Sequence, residues 1–137
     1  MQITVERRIH APVEDVWRAF NAPEEIVQWD GSPAWQTVWA QNELRAGGWL
    51  RLRMAGRQGG PGFDFAARYT RVEPHRLIEW QDEEGRRVRV EFLPWEGGVT
   101  LRQTFEAEAP ERADAERADW QAVLDRFARH VMARHPG

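Results

Sequence analysis

Residues 113–134, ADAERADWQAVLDRFARHVMAR, constrain this chain more than any other stretch. Trp120, Val123, Leu124, Phe127 and Val131 recur at spacings of three and four, which places them on one helical face. Arg112, Arg117, Asp119, Asp125, Arg126 and Arg129 mostly occupy the other side. A helix of this length runs about 33 Å, the width of a small domain. It cannot bury an apolar face on itself. It needs a broad apolar surface, and the middle of the chain has the pattern of strands.

Gln2 to His10 alternates, with Ile3, Val5 and Ile9 on one side, Thr4, Glu6 and Arg8 on the other, and an interruption at Arg7. Pro12 then suits a first helical position, where its missing N–H costs nothing. Val13, Val16, Trp17 and Phe20 mark a short amphipathic helix. Pro23-Glu24-Glu25 starts a second one carrying Ile26, Val27 and Trp29, with both glutamates read as solvated cap residues. Six strand patterns follow: Trp35–Leu44, Trp49–Ala55, Phe63–Val72, Arg76–Gln81, Arg87–Trp95 and Val99–Phe105. Short turns rich in Gly, Pro and Asp separate them, so neighbours must run antiparallel. Phe63, Phe65, Ala67 and Tyr69 share parity but Val72 does not, and a bulge near Thr70 reconciles them. The expected architecture is α+β: a curved antiparallel sheet of about seven strands wrapped around a long C-terminal helix, with two short helices after the first strand. One domain over residues 1–137 is expected from the length.

Several functions are disfavoured outright. A net charge of −3 offers no basic surface for nucleic acid. Cysteine is absent, so there are no disulfides and no thiolate metal sites. His10, His75, His130 and His135 are not spaced as a metal pair, and no metal or other cofactor is expected. There is no run of 18 apolar residues and no signal-like opening, so no membrane association and a cytoplasmic location are expected. The glycines between Gly56 and Gly62 lack the Lys-Ser/Thr of a phosphate loop and read as a hairpin turn. No catalytic residue is assigned.

Certain motifs are familiar. Ala11-Pro12 with Val16-Trp17 after an alternating strand, then Pro23-Glu24 with Ile26 and Trp29, resembles the opening of the START-like (SRPBCC) superfamily. Arg45-x-Gly47-Gly48, Met54, and Val72-x-Pro74-x-Arg76-Leu77-x-x-Trp80 resemble the branch named for the activator of the 90-kDa heat-shock protein ATPase. Ala67 and Ala118-Asp119-Trp120 depart from that pattern, at positions where Gly and Gly-Trp are common. The resemblance implies a helix-grip fold with a groove or cavity under the long helix. It also implies three functions to choose among. The leading one is non-catalytic binding of a small hydrophobic or aromatic ligand. The others are a chaperone-associated interaction module and a polyketide cyclase or aromatase-like enzyme, for which Gln103, Tyr69 and His130 are the polar candidates.

The candidate lining comes from inward strand positions and the helix face. It comprises Leu50, Leu52, Met54, Phe63, Phe65, Tyr69, Trp80, Val90, Phe92, Leu101 and Gln103, with Trp120, Leu124 and Phe127 opposite. Such a set either lines an apolar site or fills the space as core. Gln103 shares parity with Leu101 and Phe105, so its amide points inward and needs a partner. The chain has eight Trp, more than a core of this size needs. By alternation Trp35, Trp39 and Trp49 fall on the outer side of the sheet, and such a patch predicts a two-fold homodimer.

Overall fold

The first strand, β1 (Gln2–Ile9), buries Ile3, Val5 and Ile9 and pairs with the last strand, β7 (Gly98–Glu106), not with its successor. The intervening helices α1 (Val13–Asn21) and α2 (Pro23–Trp29) carry the chain across to the far edge, where β2 (Trp35–Asn42) begins. From there β3 (Trp49–Gly56), β4 (Phe63–Glu73), β5 (Leu77–Asp82) and β6 (Arg87–Trp95) return one by one as an antiparallel meander. The sheet order is β1-β7-β6-β5-β4-β3-β2. A one-turn 3₁₀ segment, Pro110–Arg112, leads into α3 (Ala113–Met132). This computed structural model describes residues 1–134. The curved sheet, two early helices and long final helix are the helix-grip architecture expected from the pattern.

Helix α3 is held to the β1 edge by its side chains. Arg117 Nη1 donates to the Thr4 carbonyl at 3.2 Å and Gln121 Nε2 to that of Glu6 at 3.0 Å. These contacts occupy carbonyls that an edge strand would otherwise leave open to another chain. Arg7 does not break the strand. Its guanidinium runs along the helix flank to Asp125 at 3.1 Å, so the long stem is accommodated and the charge is paired. Of the expected stripe on α3, Leu124, Phe127 and Val131 are in the core, joined by Ala128, while Trp120 and Val123 are half-buried against it. The Phe127 ring sits 4.7 Å from Trp29 and 5.4 Å from Phe20, edge to face.

Two bulges shift the register. One falls between Tyr69 and Arg71, where the sequence called for it. The other, between Thr37 and Trp39, corrects the reading of the tryptophans. It turns Thr37 and with it Trp35 to the inner face, where Trp35 meets Phe63 at 4.8 Å. Trp49 does lie outside, but Arg51 and Arg68 cover its ring at 5.3 Å each. Only Trp39 (51% exposed) and the bulge residue Val38 (50%) remain as an open apolar pair. A homodimer argued from three adjacent indoles thus loses two of them.

Candidate functional site

The expected lining residues fall into two groups. Val90, Phe92, Leu101, Leu124 and Phe127 are fully buried where α1, α2, α3 and strands β6 and β7 meet. Phe92 is closed in by Trp17 at 5.0 Å and Phe20 at 5.7 Å, so this half is packed core. The second group lies toward the far edge. Leu52 is buried at its base; Leu50, Met54, Phe65, Trp80 and Trp120 are half-buried, and Phe63 is 44% exposed. The backbone of α3 runs close to β1 and the short helices rather than to β2–β5. The inner face of β3–β5 beside α3 is therefore only partly covered, and this half-exposed apolar strip is the candidate groove. Trp120 forms its rim, held by stacking on Phe105 at 4.0 Å.

Gln103 lies beneath α3 between Val5 and Val90 in register and is only 8% exposed. Its amide makes no hydrogen bond to any described residue. The amide keeps some contact with solvent: among the described residues the only fully buried side-chain donor or acceptor without a partner is Trp95 Nε1. Tyr69 is different. Its hydroxyl donates to Asn42 Oδ1 at 2.6 Å, and Asn42 Nδ2 donates to the Asn21 carbonyl at 2.8 Å, joining β4, β2 and α1. Burial holds the phenol's pKa well above its ordinary 10, against the smaller effect of the Asn42 bond.

His130 is likewise committed. Its Nε2 lies 2.7 Å from Glu25 Oε1, and Arg134 Nη1 reaches Glu25 Oε2 at 2.5 Å. Glu25 is 4% exposed, not the solvated cap residue the sequence suggested. Burial raises its carboxyl, but hydrogen bonds and charge from His130 and Arg134 outweigh that and hold it below 4.5. His135 lies outside the described residues.

Three polar residues at the groove escaped the sequence reading. Asp30 ends α2, and Thr37 Oγ1 donates to its Oδ2 at 2.7 Å. Gly31 follows with φ 136°, and a Cβ there would stand 2.7 Å from the Trp35 carbonyl, so only glycine lets the chain turn after Asp30. Burial raises the Asp30 carboxyl above its ordinary value; the Thr37 bond, the Arg126 charge and the Gly31 N–H oppose this only in part. Arg126 thus lies near Asp30, on α3, yet forms no direct ion pair with it. Gly31 behind Asp30 was the sole sequence signal for this cluster; the bulge hid Thr37. A broad depression lies elsewhere, largely on the outer face of β4–β7. Its Glu79 is engaged by Arg71 and Arg89, so it reads as a solvated charged surface.

No helix among the described residues is long and apolar enough to cross a membrane. No curated sequence matches the chain. Among solved structures it is similar to the AHSA1-like protein from Aeromonas hydrophila, at 36% identity over 98% of this chain and 94% of that one, with a TM-score of 0.90. A protein from Cytophaga hutchinsonii is 34% identical over 97% of this chain and 93% of its own, with a TM-score of 0.84. A Rhodobacter sphaeroides protein, 24% identical over 99% of this chain and 93% of its own, shares the fold with a TM-score of 0.82. The family model described as activator of Hsp90 ATPase homolog 1-like protein matches residues 10–132. The chain belongs to that family, within the START-like superfamily.

Proposed function

We propose that this protein binds a small hydrophobic or aromatic molecule, without catalysis, in the groove between α3 and the inner face of β3–β5. The observation that carries this reading is the half-exposed apolar floor, Leu50, Met54, Phe63, Phe65 and Trp80, on the same inner face as Gln103, whose amide has no partner among the described residues and keeps some contact with solvent. Ligand sites combine that kind of lining with a few orienting polar groups. The cyclase-like alternative loses support because Tyr69 and His130 are tied into structural contacts. The amide of Gln103 is no general acid or base.

The test is a titration with the uncharged fluorophore N-phenyl-1-naphthylamine, followed by its own emission and by quenching of Trp80 and Trp120. Saturable binding is expected, weakened about tenfold by Phe65→Ala, a loss of the size of one buried aromatic contact. Arg51→Ala, on the outer face, should leave it unchanged. Absence of saturable binding would sink the reading. The chaperone-associated alternative has one surface feature in its favour, the exposed Val38–Trp39 pair on edge strand β2. Capture by purified Hsp90 that Trp39→Ser abolishes and Phe65→Ala spares would favour it instead.

A further inference from the structure

Arg126 occupies a position that the groove-binding reading leaves unexplained. Gln121 and Asp125 face β1. One residue beyond Asp125 is about 100° further round the helix, which turns Arg126 away from β1 and toward α2. That flank also carries Val123, packed against the core, and His130, bonded to Glu25 on α2. Arg126 is half-buried. Arg7 pairs with Asp125 and Arg134 with Glu25, and Arg129, which has no ion pair among the described residues, is exposed. Arg126 makes no hydrogen bond or ion pair with any described residue. Asp30 is close enough to feel its charge, and the Oδ2 of Asp30 is held toward β2 by Thr37.

We infer that the ligand is an amphipathic organic acid, whose carboxylate is received by the Arg126 guanidinium while its apolar body lies along Met54, Phe65 and Trp80. This rests on the groove-binding reading. Arginine stays protonated at all relevant pH, and its planar fork matches a carboxylate with two parallel N–H···O bonds. A cationic ligand would bring like charge to Arg126. A neutral one would cover a guanidinium and give it no partner, which is costly. An acid satisfies the guanidinium and leaves the apolar floor to the remainder of the molecule. Burial favours the neutral form of Asp30, which lessens the repulsion an anion would meet there.

The experiment compares acids with their alcohols at equal size: dodecanoate with 1-dodecanol, and 2-naphthoate with 2-naphthalenemethanol. Dissociation constants are measured by tryptophan quenching below the critical micelle concentration. In the wild-type chain at least one acid should bind about tenfold or more tighter than its alcohol, the range of a charge-assisted hydrogen bond. Arg126→Gln should erase that preference and leave alcohol binding unchanged. Arg129→Gln, which removes an exposed charge from the same helix, should preserve it. Equal binding of acid and alcohol by the wild type, or a preference that survives Arg126→Gln, overturns the inference but leaves the groove reading standing. Failure of all four compounds to bind overturns both.

Discussion

Phe127 on α3 and Gln103 on β7 both lie inside the fold and should respond differently to mutation. Phe127 is fully enclosed by Phe20 and Trp29, so Phe127→Ala leaves a cavity and should cost about 3–5 kcal/mol in urea unfolding. A loss below about 1 kcal/mol would contradict this packing. Gln103 is nearly as buried but its amide has no described partner. Gln103→Leu keeps the volume and replaces an amide that has no partner among the described residues but keeps some contact with solvent, so the stability of the ligand-free protein should change by less than about 0.5 kcal/mol. Binding of polar-headed ligands should weaken in the same variant. If Gln103→Leu destabilises the chain instead, the amide has a structural role and is not available to a ligand. Parity with Leu101 and Phe105 was enough to place Gln103 indoors. Whether its amide is paired depends on neighbours from β1, β6 and α3, which one strand's alternation does not contain.

At the scale of elements, α3 is clamped near both ends. At its start Glu116, itself buried, accepts from Arg86 Nη1 at 2.7 Å and from the Glu108 N–H at 2.6 Å. At its end Glu25 joins His130 and Arg134. For both glutamates burial pushes the carboxyl up, and the hydrogen bonds and positive charges around it bring the pKa below 4.5. A depressed folded pKa means stability that is present above the unfolded value and lost as pH falls through the folded one. Wild-type stability should therefore decline below about pH 4.5. The gap between wild type and Glu25→Gln, measured by urea midpoints, should be widest near neutrality and close on the acid side. A gap that does not change with pH would show that the clamp contributes through packing alone. The helices and strands themselves were legible from periodicity, and so was the β4 bulge, because Phe63 to Tyr69 and Val72 conflict in parity. The β2 bulge was not. Val38 and Trp39 are both large and apolar, so the alternation there has no single reading, and Trp35 was placed on the wrong face. Glu25 and Asp30 were missed for a related reason: a charged residue beside a helix end looks solvated until a second helix is laid across it.

For the whole molecule, the two faces of one sheet separate the competing functions. The inner face presents Met54, Phe65 and Trp80 below α3, while the outer face and the β2 edge present Val38 and Trp39. A ligand that binds only the folded state raises the melting temperature with its concentration, by an amount set by its dissociation constant. A ligand at about 100 times that constant adds about 2.7 kcal/mol, which corresponds to a shift of roughly 5–10 °C for a chain of this size. Phe65→Ala and Arg126→Gln should each reduce the shift produced by dodecanoate. Trp39→Ser should not, because its side chain lies on the other side of the sheet. Thermal scans of these three variants with and without dodecanoate make the comparison in one experiment. A shift that Trp39→Ser removes and Phe65→Ala retains would place the binding surface on the outer face and overturn the groove. The geometry favours the reverse, since the inner face has both an apolar floor and, near Asp30, a guanidinium without a direct ion pair among the described residues, whereas the β2 edge offers the exposed Val38 and Trp39.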